Sequence, residues 1–551
     1  MIQLTQVQLP ISENPMRDKE ERRSLRAKAA KLLSVPEETI GEVRILRRSI
    51  DARKKPVLFF SYRLAVSCKG ERALLRRHAR DKRVSLYQPR TYPLPSQVER
   101  RNLAGEKEGA PLIVGTGPAG IFAAYLLALA GLHPLVIERG KRVEDRLADV
   151  EAFWKTGRID PASNVQFGEG GAGTFSDGKL NTQVRDHLGR NRFVLETLVA
   201  CGAPGEILID AKPHIGTDIL VTVMRNLRNK IISLGGSFSF RTRMTRPVLH
   251  DGRIEGILVC DEGSSTGEER LIPCSRLVLA IGHSARDSFE ALEREGIPME
   301  AKAFALGFRV EHPQEAIDLA QYGKLDPSLP PAPYKLTKTL ADRRAIYSFC
   351  MCPGGYVVNA SSEEGRLAVN GMSYSDRGSR NANSAIVLTV GEREFDMNDP
   401  LAGMRYQRQM EERAYALGEG AIPQQLWADY LADRPSRTYG GFASSSKGAC
   451  KLTNLRGFLS RDMEEDLIEA MSFFGRKIEG FDSPDAILSA VESRTSSPVR
   501  ILRDETFQSK VRGLYPCGEG AGYAGGISSA AMDGLKVAEA IIREYDRECL
   551  S

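Results

Sequence analysis

One stretch differs sharply from the rest of the chain in its pattern of apolar and polar positions. Residues 110–137, APLIVGTGPAGIFAAYLLALAGLHPLVI, contain no Asp, Glu, Lys or Arg, although 27% of the chain is charged. The apolar positions form three runs, at residues 111–114, 121–130 and 135–137, separated by glycines and by a His-Pro pair. Short buried runs bounded by Gly and Pro are typical of strands, and a longer run indicates a helix. The order of these runs, strand, helix and strand, predicts a βαβ unit. The glycines and the His-Pro pair interrupt the stretch, so it does not form one continuous membrane-spanning helix.

The first turn of this unit has the spacing GxGxxG. Gly115 allows a tight turn out of the strand, Gly117 allows a pyrophosphate to approach the backbone, and Gly120 allows the helix to pack on the sheet. The N-terminus of the helix offers free N–H groups and partial positive charge to phosphates. Glu138 ends the second strand, where a carboxylate can accept hydrogen bonds from ribose hydroxyls. A dinucleotide site is therefore predicted, and the alternative is a core helix interrupted by glycines.

The N-terminal segment predicts a separate small domain at residues 1–95. Its periodicity predicts strands and helices in the order βαββαβ, at residues 2–9, 17–33, 42–51, 56–67, 71–81 and 84–87. This order suggests a ferredoxin-like split βαβ fold. A proline-rich, charged linker is predicted at residues 96–109.

This N-terminal segment is also basic. Residues 1–108 contain 25 Lys and Arg but 13 Asp and Glu, so the rest of a chain of net charge +6 is mildly acidic. The basic domain could dock RNA or an acidic partner protein, or could simply be a solvated surface. The absence of an aromatic-rich RNA-binding signature argues against nucleic acid.

Size and composition narrow the class of protein. A chain of 551 residues has room for several domains, and its composition is that of an ordinary globular protein. The start lacks the pattern of a secretory signal segment. Nine cysteines, an odd number and mostly isolated, form neither a disulfide framework nor a CxxC zinc pattern. The sequence therefore favours a cytoplasmic protein without a metal site and without a membrane span, and the oligomeric state is left open.

Three later segments belong with the βαβ unit. Residues 164–182 form a glycine-rich loop that a flat ligand can approach closely. Residues 276–287 predict a buried strand that ends near Gly282, and residues 513–542 predict a strand, a glycine and acid turn, and a helix that begins near Gly526. The predicted domains are a first part of the nucleotide-binding domain at 110–300, an inserted mixed domain at 301–490, and a second part at 491–551.

These segments, in this order, resemble the glutathione-reductase-like class of FAD proteins. More narrowly, FGEGGAGTFSDGKL, KPHIGTD, IGHSARD, FCMCPGG, ESRTSSPVRI and CGEGAGYAGGI look like the bacterial family of uncharacterised FAD-dependent or NAD(FAD)-utilising dehydrogenases. The resemblance covers roughly residues 110–545. It implies an α/β fold, with a split Rossmann-like FAD-binding domain, an inserted α+β substrate domain and the N-terminal α+β domain.

The resemblance also implies a set of residues that bind FAD. Thr174, Phe175, Ser176 and Lys179 would line the isoalloxazine side, and Glu519 stands where the class usually has Asp. Backbone N–H groups at Gly525, Gly526 and Ile527 would stabilise negative charge on a reduced flavin. The full set implied is Gly115, Gly117, Pro118, Ala119, Gly120, Glu138, Arg139, Gly173, Thr174, Phe175, Ser176, Lys179, Ala280, Gly282, Gly518, Glu519, Gly525, Gly526 and Ile527.

Five side chains are candidates for catalysis. His214 and His283 are candidate general acids, since imidazole titrates near neutral pH, or they hydrogen-bond to their own loops. Cys350 and Cys352 lie two apart on a predicted strand, so both are expected on one face, either as a redox pair or as two buried structural thiols. Arg494 could clamp a carboxylate substrate or the flavin pyrophosphate, or form an exposed ion pair.

The leading hypothesis is an FAD-dependent oxidoreductase that acts on a small organic substrate by hydride transfer through flavin N5. NADH or NADPH is a candidate electron donor, although only one GxGxxG, at residues 115–120, directly follows a predicted apolar strand, and dedicated NAD(P)H domains usually carry a second such turn. The alternatives are a flavin-dependent RNA-modifying enzyme that uses the basic domain, and a non-catalytic flavin-bearing binding or redox-sensing protein.

Overall fold

The N-terminal residues form a four-stranded sheet covered by helices. The computed structural model describes residues 1–11, 18–97, 110–264, 267–341 and 344–550. Buried Leu25, Ala29 and Leu33 recur every four residues along the first helix and pack it against the sheet. The sheet is antiparallel in the order β2-β3-β1-β4, the arrangement of a split βαβ unit. Its elements are β1 (Ile2–Pro10), α1 (Asp18–Leu33), β2 (Ile40–Asp51), β3 (Phe59–Cys68), α2 (Glu71–Arg77) and β4 (Val84–Leu86).

A parallel sheet forms the centre of the next part of the chain, after a predicted linker of which residues 98–109 lie outside the described residues. The elements here are β5 (Leu112–Val114), α3 (Pro118–Leu129), β6 (Leu135–Glu138), α4 (Val143–Thr156), α5 (Arg190–Ala200), α6 (Thr217–Ser233), β7 (Ser237–Phe240), β8 (Thr242–His250), β9 (Arg253–Asp261), β10 (Glu269–Pro273), β11 (Leu277–Leu279), α7 (Arg286–Arg294) and β12 (Met299–Ala301).

The inserted part is built on a second, larger sheet. Its elements are β13 (Phe304–Pro313), α8 (Gln314–Tyr322), β14 (Thr337–Thr339), β15 (Ala345–Cys352), β16 (Tyr356–Asn359), β17 (Val369–Met372), β18 (Asn381–Val390), α9 (Ala402–Gly418), β19 (Ile422–Leu426), α10 (Trp427–Leu431), β20 (Cys450–Leu452), α11 (Arg461–Gly475) and β21 (Ile487–Glu492). The strand order is β14-β15-β18-β13-β21-β19-β20, and β16 pairs with β17.

The chain then returns to the parallel sheet through β22 (Val499–Ile501), β23 (Leu514–Pro516) and α12 (Ile527–Leu550). Strand β22 pairs antiparallel with β12, so the exit to the inserted part and the return from it lie side by side. The completed sheet has the order β23-β11-β5-β6-β7, and all its pairs are parallel. Both halves of the chain therefore build one sheet.

Alternating side chains of this sheet enter two different cores, as the two-residue period of a strand requires. Ile113 and Val278 pack with α3, α6 and α12 on one face. Leu112 and Val114 pack on the other face with α7 and the antiparallel sheet β8-β9-β10. Because both faces are covered, the strands are apolar throughout. In the described residues, no helix combines the length and the hydropathy needed to cross a membrane.

The N-terminal sheet is attached to the rest of the molecule. Its buried residues and those of the inserted part form one continuous apolar cluster. Arg48 on β2 exchanges backbone hydrogen bonds with Ile209 and Ala211, at 2.7 and 2.8 Å, and its guanidinium pairs with Asp210 at 3.0 Å. The basic domain is therefore packed against its neighbours by both apolar and polar contacts.

Candidate functional site

A cavity of about 350 Å³ opens at the carboxyl ends of β5, β6, β11 and β23. Parallel sheets bind ligands at this edge, and pockets for cofactors have volumes of about 300–1,000 Å³. Among the sequence-predicted residues, those on the cavity wall are Gly115, Gly117, Pro118, Ala119, Glu138, Arg139, Gly173, Ser176, Lys179, Ala280, Gly282, His283, Cys350, Arg494, Glu519, Gly525, Gly526 and Ile527.

Six predicted residues do not lie on this wall, namely Gly120, Thr174, Phe175, His214, Cys352 and Gly518. The aromatic ring of Phe175 is fully buried, packed edge-on against Trp154 and beneath the Arg146 guanidinium. Thr174 is also buried, beside Gly170. The expectation that Thr174 and Phe175 line a flavin is therefore corrected: their side chains point into the core of the loop.

The glycine turn after β5 has the geometry that its spacing predicts. Gly115 has φ +101°, and a Cβ there would lie 2.4 Å from the carbonyl oxygen of Ala280. A Cβ on Gly120 would lie 1.9 Å from the carbonyl oxygen of Gly115, so α3 needs this glycine for packing rather than for ligand contact. A Cβ on Gly117 would have its nearest neighbour 3.9 Å away, the Cα of Gly171. Of these three glycines, only Gly117, which the sequence analysis assigned to the phosphates, has open space where a Cβ would lie.

Glu138 is buried and already makes four hydrogen bonds. Its Oε2 accepts from the N–H and the hydroxyl of Thr116, at 3.0 and 2.6 Å. Its Oε1 accepts from the N–H groups of Gly140 and Gly168, at 2.9 and 3.1 Å. These bonds tie the β5 turn to the glycine-rich loop. A ribose placed here would share the carboxylate with the backbone.

Arg146, which the sequence analysis missed, holds the glycine-rich loop. It is completely buried, and its guanidinium donates to the carbonyl oxygens of residues 164, 165, 168, 169 and 171 at 2.7–3.1 Å. Burial lowers the pKa of Arg146 to about 10, partly offset by the nearby carboxylates of Glu138 and Glu169. No local pattern marks this residue, since its partners are about 20 positions away in the chain.

The opposite wall is formed by the turn after β23 and the start of α12. The N–H of Gly518 donates to Asp533 Oδ2 at 2.8 Å, so this glycine turns away from the cavity. A Cβ on Gly520 would lie 2.5 Å from the carbonyl oxygen of Gly282, so the turn needs glycine at position 520, while Gly282 has φ +70°, which favours glycine by itself. The N–H of Gly525 donates to Ser529 Oγ at 3.1 Å. One of the three backbone N–H groups predicted to face a flavin therefore already has a partner within the protein.

The two candidate histidines have different surroundings. His283 lies on the cavity wall, with Nδ1 3.5 Å from Glu519 Oε1 and with Nε2 buried without a hydrogen-bond partner. His214 lies behind the wall, where Nε2 hydrogen-bonds to the carbonyl oxygen of Tyr374 at 3.2 Å and Nδ1 is 3.6 Å from Asp177 Oδ2. His283 can therefore reach a ligand, while His214 supports Asp177.

Asp177 pairs with two cationic side chains at the cavity. Lys179 Nζ is 3.3 Å and Arg377 Nη2 is 3.5 Å from its Oδ2. Burial acts to raise the pKa of Asp177, but Lys179, the neighbouring His214 ring and Arg377 together hold it below its usual value. The carboxylate keeps Lys179 charged at the wall of the cavity.

Cys350 and Cys352 lie at a bulge and not in the regular strand that the sequence predicts. Strand β15 has this bulge because its pairing with β18 shifts register between Phe349 and Cys352, and Cys350 has φ +43°. Cys350 is partly exposed on the cavity wall, and Cys352 is fully buried. The argument from regular alternation therefore does not apply to this pair, because a bulge changes the direction of the side chains.

Arg494 does not form an exposed ion pair, and its guanidinium is not free to bind a carboxylate substrate or the flavin pyrophosphate. Its guanidinium is buried and binds Glu411 through two hydrogen bonds, of 3.0 and 2.8 Å. The same carboxylate binds Arg286 on α7 at 2.8 Å, so one buried acid joins two arginines from different parts of the chain. The coulombic effect of both arginines outweighs burial and lowers the pKa of Glu411 well below its usual value. Arg286 and Glu411 were missed because this pairing is entirely long-range.

The described residues contain no cluster of three or more His, Cys, Asp or Glu side chains arranged to hold a metal ion. The fold and the cavity together define an α/β protein with a Rossmann-like parallel sheet, a glycine turn at its ligand-binding edge, and a large inserted domain.

Comparison with known proteins places the chain more narrowly. Residues 303–495 match the family model described as FAD-dependent protein, C-terminal domain-like, and residues 1–67 match a domain of unknown function, DUF8436. An uncharacterized protein of Clostridium beijerinckii is 47% identical over 529 residues, which is 95% of this chain and 96% of that protein. The chain belongs to the family of this clostridial protein, and its inserted part is similar to a domain of FAD-dependent proteins.

Solved structures with a similar fold share little sequence with this chain. A quinol fumarate reductase chain of E. coli has a TM-score of 0.38 and 11% identity, over 80% of this chain and 71% of its own. A glycerol-3-phosphate dehydrogenase from Bacillus halodurans, complexed with FAD, has a TM-score of 0.36 and 10% identity, over 82% of this chain and 68% of its own. Similarity at this level carries no argument about function.

Proposed function

We propose that this protein is an FAD-dependent oxidoreductase that acts on a small organic substrate by hydride transfer. The observation that carries the proposal is the glycine turn after β5, which opens onto the cavity at Gly117. The match of residues 303–495 to a domain of FAD-dependent proteins supports the same cofactor. When bound, FAD supplies an isoalloxazine ring that accepts or gives hydride at N5.

The residues at the cavity fit a dinucleotide. The start of α3 and the backbone at Gly117 would bind the pyrophosphate through N–H groups and the helix dipole. Glu138 would accept from a ribose while it holds the loop. Gly526 and Ile527, at the start of α12 and on the wall, would face the negative charge of a reduced flavin.

The substrate would bind where the inserted part meets the cavity. Phe349, Asn370 and Glu492 come from strands β15, β17 and β21 of the inserted part and line this side. His283 would hold or deliver a proton, because its Nε2 is buried without a partner from the described chain. NADH or NADPH would bind transiently on the same side, since only the GxGxxG at residues 115–120 directly follows an apolar strand in the sequence.

The substitution Gly117→Ala tests the cofactor assignment. Gly117 has φ −63°, and a Cβ meets nothing closer than 3.9 Å, so the protein itself tolerates alanine. A pyrophosphate at the turn would collide with the methyl group, and we expect the Kd for FAD to rise at least about tenfold, equivalent to about 1.4 kcal/mol. Fluorescence titration of FAD-depleted protein measures this Kd.

The matched control is Gly205→Ala, at a glycine outside the cavity that, like Gly117, lacks a positive φ and that has no atom within 4 Å of the place where a Cβ would lie. It should leave the Kd for FAD unchanged. Equal FAD affinity in the wild-type protein and Gly117→Ala would contradict the assignment. Bleaching of the flavin absorbance by NADH or NADPH under anaerobic conditions would then identify the donor.

A further inference from the structure

The bulge in β15 changes the backbone at Cys350 and Cys352, which a regular strand would hold a fixed distance apart. Residues two apart in a strand are separated by about 6.6 Å, near the upper limit of about 6.8 Å between the Cα atoms of a disulfide. At the bulge, the Cys352 thiol turns back and donates to the carbonyl oxygen of Cys350 at 3.2 Å. The buried sulfur of Cys352 therefore lies against the backbone of Cys350.

The two cysteines also differ in access to solvent. Cys350 is partly exposed and contributes to the cavity wall, together with its neighbour Phe349. Cys352 is fully buried behind it. An accessible sulfur with a buried sulfur next to it is the arrangement that a two-step thiol exchange requires, because the first attack needs access and the second needs only proximity.

Two cationic side chains, Arg309 and Lys179, lie beside this pair. Arg309 is completely buried, and its Nη1 is 3.2 Å from the Cys350 carbonyl oxygen and 4.0 Å from Cys352 Sγ. The neighbouring Cys352 thiol lowers the pKa of Cys350, burial opposes this, and Lys179 and Arg309 lower it further. Burial raises the pKa of Cys352, which keeps its proton. The charged and titratable groups that face the pair are Lys179, Asp177, Arg309, Glu492 and Tyr334.

We propose that Cys350 and Cys352 are a redox-active thiol pair on the wall of the cavity, and that the pair exchanges with low-molecular-weight disulfides. Cys350 is the attacking sulfur, and Cys352 is the resolving sulfur. The inference deepens the proposed function by naming a substrate class. It rests on that function in one respect, because the oxidised pair needs electrons to return to the dithiol. The exchange itself needs no cofactor.

The exchange balances without a further reactant. The Cys350 thiolate attacks one sulfur of a disulfide RSSR, a mixed disulfide forms, and one RS⁻ leaves. Cys352 loses its proton and attacks the Cys350 sulfur, which releases the second RS⁻. The dithiol is oxidised to an intramolecular disulfide, and RSSR is reduced to two RSH. Lys179 stabilises the thiolate and is therefore a positioning residue.

The first experiment follows the sulfur atoms by mass spectrometry after treatment with bis(2-hydroxyethyl) disulfide. Both cysteines lie in the tryptic peptide 345–366. We expect this peptide to lose two hydrogen atoms in the wild-type protein. We expect Cys352→Ser to accumulate a mixed disulfide on Cys350, and Cys350→Ser to remain unmodified at Cys352. Cys68→Ser, in the N-terminal sheet, is the control and should behave like the wild type.

A peptide that stays reduced in the wild-type protein would overturn the proposal. So would modification of Cys352 in the Cys350→Ser variant, because Cys352 would then be accessible by itself.

The second experiment measures the pH dependence of alkylation of Cys350 in the Cys352→Ser background and in the wild type. An ordinary thiol has a pKa of about 8.5, and the midpoint for Cys350 should lie clearly below this value. The midpoint is a better readout than the rate, because a thiolate of low pKa is also a weaker nucleophile. Lys179→Met should raise the midpoint, and Lys179→Arg should restore it. An unchanged midpoint in Lys179→Met would show that Lys179 has only a structural role and would remove the electrostatic part of the proposal.

The two proposals fail in different ways. Disulfide exchange in a protein that binds no FAD would refute the proposed function and support the thiol pair. FAD binding with thiols that do not react would overturn the thiol pair alone.

Discussion

At the residue scale, Glu138 has one observed role, in holding the backbone, and one proposed role, in binding a ribose. A carboxylate has about four lone-pair sites, and four donors of this chain occupy them. The position of the acid at the end of β6 predicts contact with a ribose, but its contacts with Thr116, Gly140 and Gly168 show that it also fixes the turn. Its replacement should affect stability as well as binding.

The substitution Glu138→Gln tests this double role. The amide has one acceptor oxygen, and its NH₂ group would face N–H donors, so buried donors lose their partners. Hydrogen bonds to a charged group contribute about 1.5–3 kcal/mol, and we expect the free energy of unfolding to fall by about this amount. Urea denaturation of FAD-depleted protein measures it. Glu300→Gln, at an exposed partner of Arg500, should cost little. Equal losses in both variants would contradict the assigned role.

A second prediction at the residue scale concerns His312. Burial lowers the pKa of His312 to about 4, and its Nε2 hydrogen-bonds to the carbonyl oxygen of Phe481. The unfolded chain takes up the proton near pH 6.5 and the folded chain only near pH 4, so stability is full above pH 6.5 and falls as the pH drops between these values. The full effect is about 3 kcal/mol.

The variant His312→Gln keeps a donor for Phe481 but does not titrate. Its stability relative to the wild-type protein should therefore improve by about 2 kcal/mol between pH 7.5 and pH 5 in urea denaturation. His250→Gln, at an exposed histidine, should show no such change. A constant difference between wild type and His312→Gln across this range would contradict the prediction.

The role of a residue could be predicted from the sequence where it depends on residues nearby in the chain. It could not be predicted where the partners of the residue are distant in the chain. Gly115 and Gly120 follow from the spacing of a single turn, and the structure gives both the close contacts that exclude a Cβ. Arg146 and Glu411 act on groups from other segments, and nothing near them in the sequence indicates this. Sequence reasoning found the turn but not the side chains that hold it.

At the element scale, the regular strands agreed with the apolar pattern and the irregular strand did not. Strands β5, β11 and β23 are short, apolar and buried on both faces, as expected of a parallel sheet. In β15 the same reasoning assumed regular alternation, and the bulge at Cys350 made it fail. Bulges depend on the partner strand, so one strand's sequence does not reveal them.

The position of the turn after β23 depends on α12. Asp533 on this helix accepts from the Gly518 N–H and pairs with Arg503 at 2.7 and 2.9 Å. Both charged side chains are buried. Breaking a buried pair costs about 3–5 kcal/mol, since one charge is left without a partner.

We therefore expect Asp533→Asn to lower the free energy of unfolding by about 3 kcal/mol and to weaken FAD binding, because the turn loses its anchor. Asp546→Asn, at a partly exposed position near the end of the same helix, is the control and should change neither quantity. Denaturation and FAD titration report the two effects separately. Unaltered FAD affinity in a destabilised Asp533→Asn protein would show that the turn does not depend on this anchor.

At the scale of the whole molecule, the N-terminal domain is part of a shared core. Its buried residues are continuous with those of the inserted part, and β2 is bonded to residues 209–211. The charge pattern of the sequence marks residues 1–95 as a distinct unit, but it contains no information on what the unit packs against. Packing between domains is long-range and was not predicted.

Removal of residues 1–97 should therefore destabilise the remaining chain. Apolar surface of the inserted part would be exposed, so we expect a lower thermal midpoint and stronger binding of a hydrophobic dye. The double variant Arg77→Glu and Arg80→Glu changes charge at exposed positions and should leave the midpoint unchanged. A truncated protein as stable as the full chain would show that the domain is a detachable module.

The central claim is that the cavity at the edge of the parallel sheet holds FAD. The most direct test is to release the cofactor from the purified full-length chain with acid and to identify and quantify it by chromatography, with FAD added beforehand to saturate the site. We expect FAD, close to one equivalent per chain, and much less from Gly117→Ala treated in the same way. A protein that retains no flavin after incubation with FAD would contradict the account.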